Sequence, residues 1–203
     1  MGIRALLLDA DGVVQTNPAG WYDELVGRLS ERAGDDFARA VFSAEQPAMV
    51  GRRRFEDVLA EVAGRWSLDD RLPRLLEHWH RVEVVPGVLP LVAQLRAAGL
   101  PCYLASNQHA HRAEYMRRAL GYDDAFTGQF YSCEIGVTKD EPAYFERVCA
   151  KLGEPADQVL FVDDKQGYVD TARATGLRAV CWCHDDGVPA LRDLLRRHGV
   201  PGV

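Results

Sequence analysis

Three short apolar runs, each of strand rather than helix length and each ending abruptly in polar residues, limit the folds open to this 203-residue chain more than any other feature. Ile3-Arg4-Ala5-Leu6-Leu7-Leu8 stops at Asp9-Ala10-Asp11-Gly12, Pro101-Cys102-Tyr103-Leu104-Ala105 stops at Ser106-Asn107, and Val159-Leu160-Phe161-Val162 stops at Asp163-Asp164. Runs that are apolar throughout fit strands covered on both faces, as a parallel sheet requires. Residues 178–183 read as a fourth such strand and 129–132 as a weaker fifth. Helical spacing predicts helices over 88–98, 110–120, Pro142–Leu152 and 167–174, with glycines at 99, 121, 153 and 176 to stop them. Strand, helix, glycine, strand is the order of βα units joined by right-handed crossovers.

Residues 17–86 break this alternation. Helix-like patterns cover 21–32, 37–42, 54–65 and 69–80, with no convincing strand, and Pro18 and Pro86-Gly87 mark the junctions. The expected architecture is α/β: a three-layer, Rossmann-like parallel-sheet core made of residues 1–16 and 87–203, with 17–86 inserted as a helical domain packed over the sheet.

Charge and composition remove several classes. Lys and Arg number 24 against 30 Asp and Glu, a net −6, which argues against bulk nucleic-acid binding. No run of 18 apolar residues is present, so a membrane span is not expected, and acids at 9 and 11 interrupt what a signal peptide would keep apolar. Five cysteines, at 102, 133, 149, 181 and 183, read as reduced core thiols of a cytoplasmic protein. Neither G-x-x-x-x-G-K-[ST], G-x-G-x-x-G nor G-x-S-x-G occurs, which disfavours a P-loop kinase, a dinucleotide enzyme and an α/β-hydrolase.

Ligands of open parallel sheets bind beyond the carboxyl ends of the strands. Asp9, Asp11, Ser106, Asn107, Asp163 and Asp164 all belong at that edge. Each alone can be a helix cap or a solvated turn, but four carboxylates gathered there repel one another unless a cation sits among them. Oxygen donors without His or Cys point to Mg²⁺. A carboxylate held by that cation can act as a nucleophile, and a second one two residues on, facing the same side of an extended chain, can serve as acid and then base. Lys139, before the helix at Pro142, is the candidate counter-charge for a phosphoryl group.

These segments resemble the motifs of the haloacid dehalogenase-like hydrolase superfamily. Asp9-Ala10-Asp11-Gly12-Val13 is similar to its first motif, Leu104-Ala105-Ser106-Asn107 to the second, Lys139 with Phe145 to the third, and Phe161-Val162-Asp163-Asp164 followed by Gly176 to the fourth. The helical block lies between the first two motifs, where subclass I members carry a helical cap, and the small sugar-phosphate phosphatases of that subclass are the most similar. The resemblance implies Asp9 as nucleophile and metal ligand and Asp11 as general acid/base with its carbonyl on Mg²⁺. It implies Ser106 and Asn107 as phosphoryl-binding residues, Lys139 as the neutralising cation, and Asp163 and Asp164 as metal ligands. Asp140-Glu141 stand between Lys139 and Pro142, where the family often has proline at once, and are placed to compete for the lysine.

The implied activity is Mg²⁺-dependent hydrolysis of a small phosphorylated metabolite through an aspartyl-phosphate. A phosphosugar mutase needs the same residues, and a binding or regulatory module that has lost turnover is the competing class. Trp21 and Tyr22 are placed for sugar stacking but read more readily as packing within the helical block. Arg52-Arg53-Arg54 reads as a solvated helix start. His109 and His111 are near enough to the second motif to line a pocket, although a helix would point the two apart. Cys181-Trp182-Cys183 reads as strand rather than as a thiol or zinc site.

Overall fold

The computed structural model describes residues 2–29 and 34–203. Its strands are β1 (Ala5–Leu8), β2 (Gln15–Thr16), β3 (Glu83–Val84), β4 (Cys102–Ser106), β5 (Gly128–Tyr131), β6 (Val159–Asp163) and β7 (Arg178–Cys181). Five of them form one parallel sheet in the order β5-β4-β1-β6-β7. β1 is central, and the chain runs outward from it in both directions, so the topological switch lies beside the carboxyl end of β1.

Why both faces are apolar follows from the period of two along a strand. Leu6 and Leu8 point into one cluster with Leu91 and Leu95 of α6 (Val88–Ala97), Met116 of α7 (Ala110–Arg118), and Leu191 and Leu195 of α12 (Gly187–Arg197). Ala5 and Leu7 point the other way. They meet Phe145 and Val148 of α10 (Pro142–Leu152) and Val169 and Ala172 of α11 (Gln166–Ala174). Two short helices, α8 (Tyr122–Ala125) and α9 (Ser132–Ile135), complete the connections around β5.

The insertion carries α1 (Trp21–Glu24), α2 (Gly34–Ala44), α3 (Gln46–Met49), α4 (Phe55–Arg65) and α5 (Leu72–His78). These helices share an apolar cluster of their own, built from Trp21, Phe37, Val41, Phe55, Leu59, Val62, Leu75 and Trp79. The helix expected over 21–32 is α1 continued by one π-turn, Leu25–Leu29, and 30–32 lie outside the described residues. The span 69–80 divides into a 3₁₀ turn, Asp69–Arg71, and α5, with Pro73 in its first turn.

Two expectations need correction. The stretch 17–86 is not free of strand: β3 lies in it and pairs antiparallel with β2, Gln15 opposite Val84 and Thr16 opposite Glu83. This ribbon is two residues long on each side, too short to show a period. The cysteines are unpaired but not all in the core, since Cys102 is buried whereas Cys181 is exposed at the end of the edge strand β7. Among the described residues no helix is long and apolar enough to cross a membrane.

Candidate active site

Asp9 follows β1 directly, and its amide donates to the Val162 carbonyl of β6 at 2.9 Å, so the ladder itself fixes its position. Next comes a tight turn in which the Gly12 amide donates to the Gln15 carbonyl at 2.7 Å. Gly12 has φ +92°, and a Cβ there would stand 2.5 Å from Cγ of Asp164. The turn after β1 and the end of β6 thus approach too closely for any side chain at 12.

The buried lysine organises the centre. Lys139 Nζ lies 2.6 Å from Asp9 Oδ1 and 2.6 Å from Asp163 Oδ2, and only 1% of its side chain is exposed. Its amide donates to Asn107 Oδ1 at 2.9 Å, while Asn107 Nδ2 donates to the Tyr168 hydroxyl at 3.3 Å. The ammonium also sits 4.8 Å from the centre of the Tyr168 ring. Asp140 and Glu141 are exposed and leave the lysine to Asp9 and Asp163. The chain buries the lysine side chain toward the sheet and turns the two acids that follow it to solvent.

One cation therefore faces several acids. Carboxylate oxygens of Asp9, Asp163 and Asp164 lie within 4.8 Å of one another. The second oxygen of Asp163 accepts from the Lys165 amide at 2.8 Å, whereas Asp164 Oδ1 is buried with no hydrogen-bond partner. Burial pushes the Asp9 carboxyl up to about 7, with the lysine pulling it down and Asp163 raising it. Burial also works against the Lys139 ammonium, but Asp9 and Asp163 outweigh it and hold the lysine above its ordinary value. Burial and the neighbouring Asp163 raise Asp164. An oxygen-only cluster with more negative charge than one ammonium can neutralise, and with an orphaned buried oxygen, fits a hard divalent cation.

Asp11 stands apart from this centre. Its carboxylate accepts from Gln15 Nε2 at 3.0 Å, Gln108 Nε2 at 2.5 Å and Arg112 Nη2 at 2.8 Å. The same Arg112 nitrogen donates to Asn17 Oδ1 at 2.9 Å. Ser106 is buried at the end of β4, and its hydroxyl makes no hydrogen bond to a described residue. Sequence reasoning passed over Gln15, Gln108, Arg112 and Tyr168. A strand-then-helix reading places Gln108 and Arg112 after the second motif, but their contact with Asp11 spans about a hundred residues and is a product of the fold.

The insertion closes over this edge, leaving a cavity of about 280 Å³ that includes Asp11, Asn17, Trp21, Glu45, His109 and Arg112 in its lining. Trp21 is buried and donates through Nε1 to the His78 carbonyl at 3.1 Å, so it packs the insertion while touching the cavity. Tyr22 is exposed and bonds Asp35. Arg53 pairs with Glu61, and Arg54 with Glu56, on the surface. His109 stacks flat on Phe55 at 3.7 Å, and His111 pairs with Glu56 and contacts the Leu76 carbonyl. The two rings do not diverge as a helical pair would, because His109 is the N-cap of α7 and lies outside the helix proper. Cys181 donates to the Asp164 carbonyl at 3.3 Å, and Cys183 follows β7, not within it.

The sequence pattern of the haloacid dehalogenase-like hydrolases matches residues 3–176. Enolase-phosphatase E1 of Streptomyces avermitilis is 32% identical over 169 residues, 75% of this chain and 70% of that one. A phosphoglycolate phosphatase of Yersinia pestis is 29% identical and covers 99% of this chain and 95% of its own. Among solved structures, a HAD-like hydrolase from Porphyromonas gingivalis superposes with a TM-score of 0.81 at 19% identity, covering 97% of this chain and 99% of that one. A HAD family enzyme from Bacteroides thetaiotaomicron, in complex with magnesium and inorganic phosphate, gives 0.70 at 20% identity, covering 89% and 94%. The chain is a member of the haloacid dehalogenase-like hydrolase family, with phosphatases among its relatives.

Proposed function

We propose that the protein is a Mg²⁺-dependent phosphomonoester hydrolase that works through an aspartyl-phosphate on Asp9, with a small phosphorylated metabolite such as a sugar phosphate as substrate. The observation that carries this reading is the convergence of Asp9, Asp163 and Asp164 around one buried lysine, with the Asp164 oxygen unpartnered. The side chains of these three acids and the Asp11 carbonyl would hold the ion. When bound, Mg²⁺ supplies the positive charge that lets an anionic nucleophile approach an anionic ester.

Lys139 engages Asp9 through Oδ1, which leaves Oδ2 to attack phosphorus. A bond forms between that oxygen and phosphorus as the bond to the alcohol oxygen breaks, and Asp11 gives its proton to the departing alkoxide. Asp11 then takes a proton from water. The hydroxide attacks phosphorus, the bond to Asp9 breaks, and phosphate leaves with the enzyme restored. Ser106 and Asn107 bind the phosphoryl oxygens in this scheme, and Lys139 neutralises charge on Asp9 and the transferring group. Residues 17–86 act as the cap and 1–16 with 87–203 as the core; the separate apolar cluster of the insertion supports that division. Unpaired cysteines throughout accord with a cytoplasmic site of action.

Asp9→Asn is expected to abolish release of inorganic phosphate from every ester in a panel while circular dichroism and gel filtration remain those of the parent. Turnover in that variant would refute the nucleophile.

A further inference from the structure

The lining of the cavity over Asp11 includes unengaged donors and an unengaged acceptor. His109 Nδ1 accepts from the Arg112 amide at 3.3 Å, so the ring proton resides on Nε2, which is buried without a partner. Arg112 donates to Asp11 and Asn17 through Nη2 alone, and its Nε is likewise buried and unpartnered. Both side chains are more than nine-tenths buried and line the cavity. Glu45, from the junction of α2 and α3, lines it too and accepts no hydrogen bond from a described residue.

We infer that Glu45, His109 and Arg112 select a phosphomonoester whose alcohol portion is hydroxylated and reject one that carries a carboxylate there. The inference rests on the hydrolytic reading above, because it takes Asp11 to mark where the leaving oxygen lies. A hydroxyl both accepts and donates, so it satisfies the buried N–H groups and the Glu45 carboxylate together. A carboxylate only accepts. It would meet the Glu45 carboxylate with like charge, and Arg112 Nη2 is already engaged by Asp11 at 2.8 Å and Asn17 at 2.9 Å. The volume of about 280 Å³ accommodates an alcohol of a few carbons or one sugar ring. Burial pushes the Glu45 carboxyl up to about 7 and Arg112 pulls it down, so an assay at pH 8 keeps it ionised.

The test compares three esters at pH 8 with Mg²⁺: glycerol 3-phosphate, 2-phosphoglycolate and ethyl phosphate. The expected kcat/KM for glycerol 3-phosphate exceeds that for 2-phosphoglycolate by about tenfold or more, the scale of one hydrogen bond to a charged group. Glu45→Gln should lower the first through KM and raise the second, each read as a ratio to ethyl phosphate, which offers the selector neither a hydroxyl nor a carboxylate. His109→Phe keeps the ring on Phe55 and removes the Nε2 donor, so it should weaken glycerol 3-phosphate alone. A wild-type preference for 2-phosphoglycolate, or an equal change in all three esters on Glu45→Gln, would overturn the selector. Calorimetric binding of the same esters to the Asp9→Asn chain separates the two readings. No turnover of any ester by the wild type, with the binding preference intact, counts against hydrolysis and upholds the selector; binding without preference overturns it.

Discussion

Lys139 shows how one side chain can tie stability to chemistry. Its ammonium is the counter-charge of Asp9 and Asp163 at 2.6 Å each, in a place with almost no solvent. Lys139→Met would strand both carboxylates, and a loss of about 3–5 kcal/mol is expected in urea unfolding of the Mg²⁺-free protein at pH 8. Glu45 shows the opposite balance. Its carboxyl rises from 4.5 to about 7 on folding, so the folded chain holds the proton more tightly. Its favourable contribution is full below pH 4.5 and is lost as the pH climbs to 7. Glu45→Gln should therefore be more stable than the parent at pH 8, by on the order of 3 kcal/mol, with the advantage gone at pH 4. Parallel denaturation curves at the two pH values check the sign. Glu45 itself gives no signal in the sequence, because only the closing of the insertion over α7 brings it near Arg112.

At the scale of elements, the legible features were those that repeat. The buried strands showed as unbroken apolar runs, and α10 matched its expected span because Tyr144, Phe145 and Val148 mark its buried face and Gly153 its stop. The acids and amides at strand ends were legible for the same reason: a parallel sheet sends every carboxyl end to one edge. The ribbon of β2 and β3 was not, being set by which segments meet rather than by local pattern. The stack of Phe55 on His109, joining α4 to α7, was also invisible, since an aromatic on an amphipathic helix reads only as core. Phe55→Ala should cost about 3–5 kcal/mol and speed proteolysis within the insertion, measured by urea unfolding and by timed digestion.

Over the whole molecule, the insertion and the core meet at close range. A Cβ on Gly51 would lie 2.1 Å from the Cys133 carbonyl oxygen, and the Ser132 hydroxyl donates to the Met49 carbonyl at 2.6 Å. Mg²⁺ at about 100 times its Kd should stabilise the protein by about 2.7 kcal/mol, seen as a Tm several degrees higher than in EDTA. Asp164→Asn should shrink that difference. The ribbon between β2 and β3 has a consequence for how such a chain can diversify. Because the chain enters and leaves the insertion through the paired antiparallel strands β2 and β3, the two crossings stand about 5 Å apart. A module whose termini meet at that spacing can be grafted there without disturbing a single register of the five-stranded sheet, so the acids at the strand ends can stay in place while the inserted helices are exchanged.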